Sequence, residues 1–141
     1  MEDVIWNYKV FDKAEKSVVK NSTLYAYRQN SQSATHSWKL SVMEKRIEAL
    51  NEVKDMLHGE MQDSFALRCL SSYSIICKAC IKTDELSGFL KKIKYTRKCL
   101  KNPIWNTMKR KGIAKTWDKK QKVKRFFALS GIMPLVYFLK K

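Results

Sequence analysis

Residues 61–82 read "MQDSFALRCLSSYSIICKACIK", and their reading decides the fold. Projected at the helical period, Phe65, Ala66, Cys69, Leu70, Tyr73, Ile76, Cys77 and Cys80 fall on one broad face. A helix with so wide an apolar face belongs in the middle of a core, with other helices packed around it.

The flanking segments supply those helices. On the N-terminal side, Leu40, Met43, Ile47, Leu50 and Leu57 follow three–four spacing, with Lys54 interrupting the stripe. Ser41 and Glu44 have the spacing of a capping box, and His58-Gly59 reads as a stop. On the C-terminal side, Thr83-Asp84-Glu85 offers a cap and two acids for a third helix. Leu86, Phe89, Leu90, Ile93 and Leu100 are its predicted buried face. Asn102-Pro103 restarts the chain, with Asn as N-cap and Pro at the first helical position.

A short helix is predicted to end at Gly112, and another to run from near Ile113 to before Gly131. Ile113, Trp117, Val123 and Phe127 form its apolar side, and Lys111, Lys115, Lys119, Lys122 and Arg125 lie opposite.

The remaining stretches are less regular. Residues 3–20 alternate like a strand at Val4, Trp6, Tyr8 and Val10, but Val4, Tyr8, Phe11 and Val18 share a helical face. With no second strand in view, helix is the better reading. Residues 21–37 are polar and aperiodic, and read as a loop. The tail "FFALSGIMPLVYFLKK" (126–141) is apolar, and in so small a domain it is expected to fold back and close the core.

Four Gly and two Pro in 141 residues leave too few turns for a many-stranded sandwich or barrel. The predicted class is therefore all-α or mostly α, a small single-domain bundle of about four to five helices with a basic, amphipathic C-terminal helix. Its parts are an N-terminal segment and polar loop (1–37), a helical core (38–100), and a basic helical segment with an apolar tail (101–141).

Charge divides the chain in a different way. Residues 1–90 hold twelve Lys/Arg and twelve Asp/Glu, and are neutral. Residues 91–141 hold seventeen Lys/Arg and one acid, which is the whole net charge of +16. Such a block directs a field at a polyanionic partner. Lys and Arg contact phosphates and release counterions without reading sequence. The predicted nucleic-acid-binding residues are Lys91, Lys92, Lys94, Arg97, Lys98, Lys109, Arg110, Lys111, Lys115, Lys119, Lys122 and Arg125.

Tyr95, Trp105 and Trp117 lie between these cations. An exposed aromatic could stack on an unpaired base, which favours RNA, although the apolar stripe argues for burial of Trp117. RNA is also preferred over duplex DNA because no helix-turn-helix signature occurs. Lys109 and Arg110, ten residues, and then Lys122, Lys124 and Arg125 match a bipartite nuclear localisation pattern whose reader is an importin with acidic grooves.

Catalysis is not expected. There is no Gly-rich phosphate loop, HExxH or GxSxG. Cys77 and Cys80 have CxxC spacing, but a zinc site needs four converging ligands, usually with the CxxC on a tight knuckle. Inside an apolar helix the pair reads as small hydrophobes, so no metal or other cofactor is expected.

No apolar run follows the first residue, and no stretch reaches about 18 consecutive apolar residues. An intracellular protein of nucleus or cytoplasm is the resulting expectation. Its general character suits a virus-encoded accessory or non-structural protein. Two other partner classes fit the same residues. One is a host or polymerase protein with an acidic surface. The other is an anionic membrane surface, met by the basic segment and the apolar tail together.

Overall fold

The computed structural model describes residues 2–16, 18, 38–57, 61–110 and 117–139. Among the described residues it contains six α-helices, one 3-10 helix and no strand, so the all-α class holds. The helices outnumber the four to five expected because the tail forms a helix of its own, while the short helix expected after Asn102-Pro103 forms as a 3-10 helix over Pro103–Lys109.

The α-helices are α1 (Glu2–Lys13), α2 (Leu40–Lys54), α3 (Met61–Lys82), α4 (Phe89–Leu100), α5 (Lys119–Leu129) and α6 (Met133–Leu139). Helix α3 is the hub. It touches α2, α4, the 3-10 helix, α5 and α6, while α1 packs on α2. All eight residues of its predicted apolar face are buried. At 22 residues, α3 has the length and composition of a membrane span, although Arg68, Ser71, Ser72, Ser74 and Lys78 interrupt its apolar residues. Two thirds of its most apolar window is buried inside the protein, as a core helix requires.

Around this hub the cores of α2 and α4 differ from the sequence reading in instructive ways. In α2 the buried residues are Met43, Ile47, Ala49, Leu50 and Val53, so Val53 takes the place that the stripe assigned to exposed Lys54. The Ser41 capping box does not form. Lys39 is the N-cap and makes no side-chain bond, and Glu85 Oε2 accepts from the Leu40 amide at 3.0 Å instead.

Helix α4 starts later than Thr83. Gly88, at φ 78°, is its N-cap, and Thr83 Oγ1 accepts from the Glu85 amide. Its buried residues are Thr96 and Cys99, whereas Phe89 and Leu90 are exposed. Two polar side chains make this rotation possible. The Lys92 ammonium donates to the carbonyls of Ile81 (2.6 Å) and Thr83 (2.7 Å), closing the end of α3. Thr96 Oγ1 donates to the Lys92 carbonyl at 2.7 Å.

Helix α1 rests on Ile5 and Tyr8, the latter edge-on to Phe65 at 5.9 Å, while Phe11 and Val18 of its predicted face are exposed. The Asn102-Pro103 restart forms as predicted, with Asn102 Oδ1 accepting from the Ile104 amide at 3.0 Å. The 3-10 helix then buries Trp105, whose indole N–H donates to the Cys99 carbonyl at 3.0 Å and whose ring stands edge-on to Tyr73.

The last basic helix does not begin at Ile113. Residues 111–116 lie outside the described residues, and α5 begins at Lys119 behind a capping box. Asp118 Oδ1 accepts from the Gln121 amide at 2.7 Å, and Gln121 Oε1 accepts from the Asp118 amide at 3.0 Å. Trp117 therefore precedes the helix and is buried there, while Val123 is exposed. Replacing Asp118 with Ala should cost about 1 kcal/mol, read as a lower urea midpoint at unchanged slope. An unchanged midpoint would mean that the box contributes nothing.

Helix α6 folds back as expected, burying Met133 and pressing Phe138 on Phe89 with ring centroids 4.2 Å apart. It also leaves Leu135 and Leu139 exposed, so the tail closes the core only in part. The polar loop 21–37, the His58-Gly59 stop and both histidines lie outside the described residues.

Candidate nucleic-acid interface

Helix α4 presents its cations in a single row. Its buried face is fixed by Thr96, Cys99 and the stem of Lys92. At about 100° per residue, Lys91, Lys94, Arg97 and Lys98, with Lys101 at the C-cap, then occupy the opposite arc, and all five are exposed. At 1.5 Å rise per residue the row from Lys91 to Lys101 is about 15 Å long. No acid occurs on α4.

Arg97 and Lys101 continue from this row onto the rim of a cleft of about 490 Å³, where Lys109 of the 3-10 helix joins them. Asn102 and Asn106 add amides to the rim, and Tyr73, Leu100, Trp105 and Met108 supply its apolar walls. Lys119, Lys120 and Lys124 of α5 border a separate groove with Val123, Phe127 and Tyr137. On the other flank of α4, Glu44 and Glu48 of α2 approach Lys98 and Lys101, marking where the neutral half of the protein begins.

The predicted binding residues divide into three groups. Lys91, Lys94, Arg97, Lys98, Lys109, Lys119 and Lys122 are exposed. Lys92 and Arg125 are half-buried and bonded to backbone carbonyls, whereas Arg110 is exposed and makes a side-chain bond. Lys92 closes α3, as described, and Arg110 Nη1 donates to Gln62 Oε1 at 2.8 Å. Arg125 Nε donates to the Met108 carbonyl at 2.7 Å, and its Nη2 reaches the Arg110 carbonyl at 3.4 Å. Lys111 and Lys115 lie outside the described residues.

Lys101, Lys120 and Lys124 are exposed members of the basic surface absent from the predicted nucleic-acid-binding set. The signal for Lys101 was available in the spacing, because it continues the row of Lys91, Lys94 and Lys98.

The aromatics do not form a stacking platform. Trp105 and Trp117 are each 4% exposed, and half-buried Tyr95 donates its hydroxyl to Glu44 Oε1 at 2.9 Å. A polyanion at this surface would meet charge along its backbone rather than rings between its bases. The bipartite pattern is likewise built into the fold. Its second cluster, Lys122, Lys124 and Arg125, is helical, and Arg125 is bonded to the Arg110 carbonyl of the first.

The cysteines lie on the inner side of the same helices. Cys69, Cys77, Cys80 and Cys99 are all buried free thiols. Among the described residues no group of three or more His, Cys, Asp or Glu is placed to hold a metal ion. Burial pushes the Cys69 and Cys77 thiols up to about 12.

No protein-family profile, curated protein or solved structure matches this chain.

Proposed function

We propose that the protein is a non-enzymatic nucleic-acid-binding protein, with RNA the preferred class, that grips the phosphate backbone with the outer face of α4 and the rim of the adjoining cleft. The row of Lys91, Lys94, Arg97, Lys98 and Lys101 carries this reading. Like charges three and four residues apart repel by a few tenths of a kcal/mol per pair. The α4 sequence contains no acid to relieve them, and Glu44 and Glu48 of α2 approach the row only at its Lys98–Lys101 end. Such a face is held at a small cost in stability, and a polyanion laid along it removes the repulsion.

Lys109 and the α5 lysines extend the contact beyond one helix. Binding should be indifferent to base sequence, because the available contacts are charges and not base-edge readers. Labelled single-stranded RNA, followed by fluorescence anisotropy, should be displaced equally by unlabelled RNAs of unrelated sequence. Absence of binding at low salt would end this reading.

A second reading is favoured by one observation that RNA binding does not use. Leu90 is 80% exposed and Leu139 83% exposed, and the Phe89–Phe138 contact brings their helix ends together. An apolar crest beside lysines suits the surface of an anionic bilayer, where each basic residue adds about 1 kcal/mol. Flotation with vesicles containing phosphatidylserine, and none with neutral vesicles, is the outcome expected of this reading. Leu90→Ser with Leu139→Ser should abolish it. No flotation with either vesicle would dismiss it.

A further inference from the structure

The cleft beside α4 is built differently from the row of cations that leads to it. Buried Tyr73 and Trp105 lie at its base, and α4, the 3-10 helix and the turn from α5 into α6 form its sides. The polar atoms at the base are already used within the protein. The Tyr73 hydroxyl donates to the Ala128 carbonyl at 3.1 Å, and the Trp105 indole N–H donates to the Cys99 carbonyl. Leu100 and Leu135 add apolar surface above them. The rim has the opposite character. Among the described residues no acid lines the cleft, and the side chains of Arg97, Lys101, Asn106 and Lys109 have no bonding partner.

We propose that this cleft receives the end of an RNA strand, with the terminal phosphate monoester on Arg97, Lys101 and Lys109 and the last nucleoside against the apolar walls. The proposal rests on RNA as the ligand of the α4 row and adds which part of the strand the cleft recognises.

Three observations favour an end over the middle of a strand. A strand passing through needs an entry and an exit, whereas the cleft is walled by three elements and the α4 row shares only Arg97 and Lys101 with its rim. At about 490 Å³ the cleft lies in the range of pockets that enclose one small molecule. Charge is the third. A phosphate monoester carries about −1.5 to −2 at neutral pH and offers three acceptor oxygens, where an internal phosphate carries a single charge. Three unpaired cations on one rim match the greater charge.

The roles follow from the side chains. Arg97 can meet two phosphate oxygens with its planar fork, and Lys101 and Lys109 supply point charges. The Asn106 amide is left for the sugar or the base. Because the base of the cleft has spent its hydrogen bonds internally, it holds a nucleoside by contact and does not select among bases. That agrees with binding indifferent to sequence. A monoester can stand at either end of a strand, so the chemistry is shared by a 5′-phosphate and a 3′-phosphate.

The test compares three RNAs of one sequence, each with the same internal fluorophore, binding to the full-length chain. One has hydroxyls at both ends, one a 5′-phosphate and one a 3′-phosphate. At least one phosphorylated RNA should bind about tenfold more tightly than the unphosphorylated one at 0.15 M salt, the effect of up to two further charges at about 0.7 each in the salt slope. The end that gains is the end the cleft holds. Arg97→Gln with Lys109→Gln, both at exposed positions, should weaken all three RNAs and bring their affinities together. Lys119→Gln with Lys124→Gln removes the same charge from the separate α5 groove and should leave the preference in place. Equal affinities of the three RNAs for the wild type would overturn the proposal while leaving the α4 row as the binding surface. Binding of none would overturn both. A preference that survives Arg97→Gln with Lys109→Gln, or that the α5 pair of substitutions removes, would put the terminal phosphate elsewhere and overturn the proposal.

Discussion

Replacing Lys91, Lys94, Lys98 and Lys101 together with Gln is expected to lower the affinity for single-stranded RNA about a hundredfold at 0.15 M salt. Each phosphate neutralised on a single strand contributes about 0.7 to the slope of log affinity against log salt, so four lost contacts remove about three. Referred to 0.15 M salt, that change amounts to roughly two powers of ten. The substituted side chains are exposed and bond to nothing in the core. Lys91 reaches only Ser87, at 3.5 Å.

Folding should barely change in this variant. Relief of like-charge pairs stabilises α4 by tenths of a kcal/mol, and loss of two cations at its C-terminal end offsets that gain. Neutralising Lys9, Lys13, Lys16 and Lys20 is the matched control, since that half of the chain balances its own charge. A comparable loss in the control would mean that bulk charge, and not the α4 row, is responsible.

The largest effect on stability is expected at Trp105. Trp105→Ala should cost about 3–5 kcal/mol, the range for removing a buried large aromatic. Three contributions are lost together. They are the burial of a side chain that is only 4% exposed, its edge-on contact with Tyr73 at 5.3 Å, and the indole bond to the Cys99 carbonyl. Against a total stability of about 5–15 kcal/mol this is a large fraction. Trp105→Phe keeps most of the ring and forfeits the indole bond, so it should cost nearer 1 kcal/mol. Trp6→Ala serves as the comparison, because Trp6 is 63% exposed. Its urea midpoint should hardly move. If Trp105→Ala shifts the midpoint no more than Trp6→Ala, then the 3-10 helix is not part of the core.

What could be read from the sequence follows from how each residue finds its partner. The α3 face was legible in full because a wide apolar arc at helical spacing has only one satisfactory place to go. The Asn102-Pro103 restart was legible because its chemistry is local. The orientation of α4 was not, because Lys92 and Thr96 are polar and yet face inward. What satisfies them is a set of backbone carbonyls, two of them at the end of another helix. That rotation displaced Leu90 to the surface and turned a predicted core residue into part of an apolar crest.

The start of α5 was missed for a different reason. Asp118 stood out as the lone acid in a basic run, whereas its position three residues before Gln121 made it an N-cap. The basic character of the site was plain in the composition. Which cations are free was not, since Lys92 and Arg125 differ from their neighbours only in the carbonyls they meet.

The most direct measurement is the affinity of the wild type and the four-lysine variant for one RNA over a series of salt concentrations. The account predicts a straight log–log line for the wild type and a line shallower by about three for the variant. A wild-type affinity that hardly depends on salt, or a variant line parallel to the wild type, would contradict it.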